Sequence, residues 1–108
     1  MSLLRQEVLE ELRNLCENHS VDTFYLFGSK ATGNGNPDSD YDFLVRFSSE
    51  VALSDYSKNY FHLLDSLKKL FDSPVDLLTE QSIKNPILLQ EINSQKQLIY
   101  EAKVAQLV

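Results

Sequence analysis

The 108-residue sequence contains one cysteine, Cys16, so no internal disulfide can form. Cys16 falls at helical spacing from Leu9 and Leu12, the pattern of a buried thiol in a reducing compartment and not of a nucleophile. Positive charge is scarce: ten Lys and Arg stand against sixteen Asp and Glu, a net charge of -6 at pH 7. That is the wrong sign for gripping a phosphate backbone, so no direct nucleic-acid partner is expected. No apolar run approaches the roughly 20 residues that cross a bilayer. The opening stretch MSLLRQEVLEELRNL puts Glu7, Glu10 and Glu11 where a signal peptide needs uninterrupted apolar residues. No membrane partner and a cytoplasmic location are therefore expected. Glycine and proline number only three each, and with 43% hydrophobic and 24% charged residues the chain reads as an ordinary folded one, not a disordered one. Its length fits a single domain, residues 1–108, able to bury about two thirds of the surface that the unfolded chain exposes.

Within these bounds the apolar pattern sets an order of elements. Leu4, Val8, Leu12, Leu15 and Cys16 make one stripe over residues 3–18, predicting an amphipathic helix. DTFYLFG, stopped by Gly28, and the alternating DYDFLVRF predict two strands. The loop between them carries Asn34, Asn36, Pro37 and the glycines, residue types suited to turns. Tyr60, Leu63, Leu64, Leu67, Leu70 and Phe71 repeat at three and four, predicting a second helix over 54–71 with Ser54 as its N-cap and Pro74 beyond its end. PVDLLTE predicts a third strand and the stretch after Pro86 a third helix, whose continuation at Leu98 to Tyr100 reads as strand or helix. The order helix, strand, strand, helix, strand, helix implies an α+β fold, a small mixed β-sheet with helices packed on one face.

Chemistry concentrates around the second strand. Alternation sends Tyr41, Phe43, Val45 and Phe47 to the core and Asp40 and Asp42 to the other face, about 7 Å apart at the backbone. Like charges so placed are costly unless hydrated or neutralised, and an all-oxygen donor set suits a hard ion such as Mg²⁺ used together with substrate phosphates. Gly28 allows close backbone approach at a strand end. Ser29 offers a hydroxyl and a main-chain N–H, SKAT is suited to a short helical turn, and Lys30 adds positive charge. In VDLL, Val75 and Leu77 take the core face and Asp76 the other, bringing a third carboxylate to the same side. Carboxylates and phosphate donors together suit phosphoryl or nucleotidyl transfer.

Gly28-Ser29, ten residues, then Asp40-Tyr41-Asp42 resembles the Gly-Ser-x(10)-Asp-x-Asp signature of the DNA-polymerase-β-like nucleotidyltransferases, with Asp76 matching the third carboxylate. The shortness and element order resemble the minimal nucleotidyltransferase (MNT) group over nearly the whole chain. The resemblance implies a polymerase β palm-like fold, with catalytic and metal-holding roles for Asp40, Asp42 and Asp76, which would carry two Mg²⁺ ions. It implies nucleotide binding at Gly28, Ser29 and Lys30, ATP as substrate, and help from Asp76 in activating the acceptor hydroxyl. It also implies an antitoxin whose partner is a HEPN-domain toxin and whose acceptor is a tyrosine of that toxin. The chain departs from the commonest form of the family in having Lys30 in place of Arg, a point charge where a planar fork would clamp phosphate.

Two other readings of the same residues lead elsewhere. In one, the protein neutralises its partner by contact alone, and an Asp40→Asn chain still protects. In the other, the acceptor is a small molecule and a homo-oligomer supplies the missing wall of the site. An adjacent reading frame for a small helical protein with an Arg-x(4)-His motif would favour the HEPN pairing. A calcium loop starting at Asp38 fails because Phe43 and Ser49 stand where Gly and Glu are needed. Asp38 itself reads as a turn residue beside Pro37. The glycines match neither a P-loop nor a dinucleotide fingerprint, and His19 and His62 read as surface histidines.

Overall fold

A computed structural model describes residues 4–33 and 40–102, so Asp38 and most of the Asn- and Gly-rich loop lie outside the described residues. Helix α1 (Gln6–Asn18) carries the first apolar stripe, and strand β1 (Val21–Phe27) follows after Ser20 reverses the chain at φ 57°. A single helical turn, α2 (Ser29–Thr32), leads toward strand β2 (Tyr41–Phe47). Helix α3 (Leu53–Phe71) then crosses to strand β3 (Val75–Thr79). After a 3₁₀ turn come helix α4 (Pro86–Gln95) and strand β4 (Gln97–Glu101). The four strands form one mixed sheet in the order β3-β2-β1-β4. β1 runs antiparallel to both β2 and β4, while β2 and β3 run parallel. The parallel pair needs a crossover, and α3 is that crossover.

The segment that reads as strand or helix is strand β4, because pairing to β1 satisfies its backbone, for example Phe24 with Tyr100 and Leu26 with Gln97. One predicted boundary is corrected. Ala52, not Ser54, caps α3, and no side chain bonds the helix start. The chain is already turning at Val51, whose N–H donates to the Ser48 carbonyl at 3.1 Å, and Val51 packs against the core, so the helix begins two residues earlier than a Ser54 cap would place it. At the start of α4, by contrast, the Asn85 side chain accepts from the Ile87 and Leu88 N–H groups, with Pro86 in the first turn where its missing donor costs nothing.

Alternation does most of the work of burial. Phe24 and Leu26 of β1, Phe43, Val45 and Phe47 of β2 and Leu77 of β3 share one cluster with Leu12 and Cys16 of α1 and Leu63 and Leu67 of α3. Phe24 and Phe43 stack at 4.8 Å, and Phe43 continues to Phe71 at 5.5 Å. Leu44 and Ile92 are also buried but lie outside this cluster, Leu44 on the opposite face of β2. Leu67 is fully buried, so Leu67→Ala is expected to cost about 2–5 kcal/mol, read as a lowered urea midpoint. Cys16 is fully buried too, and burial first, then Glu17, pushes its thiol up to about 12. The native protein is therefore expected to resist iodoacetamide at pH 8 and to alkylate only once unfolded.

Candidate active site

Register brings the predicted residues together. Asp42, second residue of β2, lies level with Phe27 of β1 on one side and with Asp76 of β3 on the other. Because β2 and β3 are parallel and in step there, the two carboxylates leave neighbouring strands from the same face. Asp40 precedes β2 by one residue and is exposed, as is Asp76, whereas Asp42 is half-buried.

Gly28 closes the other side of Asp42. It ends β1 at φ 76° and ψ -159°, a conformation that only glycine adopts readily, and its carbonyl starts α2 by accepting from Ala31 (3.1 Å) and Thr32 (3.2 Å). A Cβ added there would overlap the Asp42 carboxylate, with its Cγ only 3.2 Å away. The glycine thus does two jobs, turning the chain into Ser29 and leaving room for the acid. Ser29 opens α2, whose Ala31 is buried and whose Ala31 carbonyl accepts from the Gln97 side chain at 2.8 Å, tying the turn to β4.

Electrostatics reflect this crowding. The Asp42 carboxyl is held above the usual aspartate range by burial first, then by Asp76 and Asp40. The site is therefore a set of carboxyl oxygens in mutual repulsion, which a divalent cation would relieve, and its hard donor set fits Mg²⁺. Among the described residues, no three His, Cys, Asp or Glu side chains stand close enough together to enclose an ion by themselves, so the remaining ligands would come from substrate and water.

The Lys30 ammonium lies 4.7 Å from the centre of the Tyr41 ring, and Tyr41, which alternates with Asp40 and Asp42, meets the Phe71 ring at 4.2 Å in a tilted arrangement. Of the two histidines, His19 bonds the Leu15 carbonyl at 2.7 Å and His62 is exposed on α3. Sequence reasoning missed Tyr60, which reads there only as part of the apolar stripe. Its hydroxyl donates to the Leu77 carbonyl, next to Asp76, at 2.6 Å. The signal was present in weak form, since a tyrosine in a stripe of leucines has a polar tip that needs a partner.

Comparison with known proteins gives this geometry its context. The sequence model of the family described as "Polymerase beta, Nucleotidyltransferase" matches residues 10–104. A Methanocaldococcus jannaschii protein named "Putative protein adenylyltransferase MJ1379" is 32% identical over 100 residues, covering 93% of this chain and 96% of the relative. A solved structure described as a "putative minimal nucleotidyltransferase" superposes with a TM-score of 0.67 at 28% identity, covering 85% of this chain and 89% of that one. A chain from the structure of a tri-AMPylated Shewanella oneidensis HEPN toxin in complex with MNT antitoxin has the same fold, with a TM-score of 0.64 at 21% identity, covering 92% of this chain and 74% of that one.

Proposed function

The chain belongs to the polymerase beta nucleotidyltransferase family and is a nucleotidyltransferase, and from that premise we propose that it transfers AMP from ATP to a tyrosine hydroxyl of a HEPN-domain toxin, acting as that toxin's antitoxin. The observation that carries this reading is Asp42 set level with Asp76 on the parallel pair and backed by Gly28. The protein acceptor rests on the relative named an adenylyltransferase and on the AMPylated toxin bound to an MNT antitoxin.

In the reaction the tyrosine oxygen attacks the α-phosphorus of ATP, a new P–O bond forms, the bond between the α- and β-phosphates breaks, and pyrophosphate leaves. Asp40, Asp42 and Asp76 would hold two Mg²⁺ ions, which when bound supply positive charge against the triphosphate and the charge that develops during transfer. Asp76 is exposed, and its carboxylate receives or steers the proton of the incoming hydroxyl. Gly28 and Ser29 would meet the triphosphate with main-chain N–H groups and the Ser29 hydroxyl, and Lys30, beside Tyr41, would add positive charge.

The test is intact-mass analysis of the HEPN partner after co-expression with the native chain or with Asp40→Asn. The expected result is one or more added AMP groups, mapped to tyrosine, with the native chain and none with the variant. A partner that stays unmodified yet bound and silent with both chains would replace this reading with neutralisation by contact.

A further inference from the structure

Among the described residues β3 is an edge strand of five residues, paired only with β2. It nevertheless carries Asp76, whose usefulness depends on staying level with Asp42. Two contacts hold the next residue, Leu77, from the helix side. Its side chain is buried in the core beneath α3, and its carbonyl accepts the Tyr60 hydroxyl at 2.6 Å, across seventeen residues of chain. Tyr60 is partly buried on the same stripe as Leu63, Leu64 and Leu67, where a phenylalanine would fill the space as well. The hydroxyl is the one thing that tyrosine adds at this position. The Leu77 carbonyl belongs to the Leu77–Leu78 peptide, so the bond anchors the edge strand one residue beyond Asp76 and limits its sliding and twisting against β2.

We propose that Tyr60 is a positioning residue of the carboxylate site: by holding the Leu77 carbonyl it keeps the edge strand, and with it Asp76, in the alignment with Asp42 that cation binding requires. This inference rests on the reading of Asp40, Asp42 and Asp76 as the cation-holding face. Burial first, then the charge of Asp76 and of Tyr56, hold the Tyr60 phenol above its ordinary range, so the proton that makes the bond stays in place.

The experiment is a Mn²⁺ titration followed by electron paramagnetic resonance on the native chain, Tyr60→Phe and Asp42→Asn, with thermal melts of each. Native protein is expected to bind Mn²⁺, Asp42→Asn to lose that binding, and Tyr60→Phe to bind about fivefold more weakly, the equivalent of one ordinary hydrogen bond. With Mg²⁺ and ATP, Tyr60→Phe is expected to lower kcat and leave the KM for ATP unchanged. Should the phenylalanine variant not fold, Tyr60→Met removes the donor and keeps most of the volume. A Tyr60 variant that melts earlier but binds Mn²⁺ as tightly as the native chain would overturn the inference and leave the bond a structural tie only. Native protein that binds no Mn²⁺, or binds it equally well with Asp42→Asn, would remove the cation-holding face itself, and this inference with it.

Discussion

Asp42→Asn is expected to lower nucleotidyl transfer by at least about a hundredfold and, in the absence of metal at neutral pH, to raise the melting temperature of the protein. The two effects have one cause. Asp42 is half-buried between Asp40 and Asp76, and burial followed by those two charges raises its carboxyl above the value it has in the unfolded chain. The folded state therefore holds this proton more tightly than the unfolded state does. The associated stability is fully present below the ordinary aspartate value and is lost as pH rises through the raised one. At pH 7 the native chain carries the unrelieved repulsion and the asparagine does not. Because much of the group faces solvent, which screens the repulsion, the gain is expected to be about one or two degrees. A melt series from pH 4 to pH 7 checks this: the native midpoint falls more steeply with pH than that of the variant. Added Mg²⁺ is expected to narrow the gap by stabilising only the chain that keeps its acid.

Gly28→Ala is expected to cost both fold and activity, for separable reasons. At φ 76° and ψ -159° the residue occupies a region essentially reserved for glycine, worth about 1–3 kcal/mol of strain for any other residue. The added methyl group would also meet the Asp42 carboxylate, so the acid must turn away from its place opposite Asp76. A displacement of about 1 Å at a reacting centre is enough for a loss of about a hundredfold. Gly33→Ala is the control: Gly33 also has a positive φ, 79°, but a Cβ there meets nothing within 4 Å. Its substitution is expected to cost about 1–2 kcal/mol of strain with little effect on turnover. Urea denaturation and pyrophosphate release, measured on both variants, separate strain from displacement.

Much of this arrangement is legible in the sequence because the physics behind it is local. The alternation in DYDFLVRF and VDLL places Phe43, Val45 and Leu77 in the core and leaves Asp42 and Asp76 on the other face, and burial follows that assignment. The stripe in α3 and the glycine stop after β1 are equally direct. What the sequence does not carry is anything set by distant partners. That Asp42 stands level with Asp76, and not one residue out of step, depends on how α3 returns the chain to β3. That Gln97–Glu101 is a strand depends on β1, since so short a segment has no decisive pattern of its own. That the Lys30 ammonium lies over the Tyr41 ring is likewise set by the packing of β2 and is not carried by the sequence around Ser29. Tyr60 escapes notice because its ring obeys the apolar stripe and only its hydroxyl does something else.

The most direct test of the account is the fate of the label from ATP carrying it on either the α- or the γ-phosphate, incubated with Mg²⁺, the native chain and its HEPN partner. The α-label is expected to become covalently attached to the partner and the γ-label to leave with pyrophosphate, and Asp40→Asn, Asp42→Asn and Asp76→Asn are each expected to stop the transfer. Transfer of γ-label to the partner, or undiminished transfer of α-label by the three variants, would contradict the account.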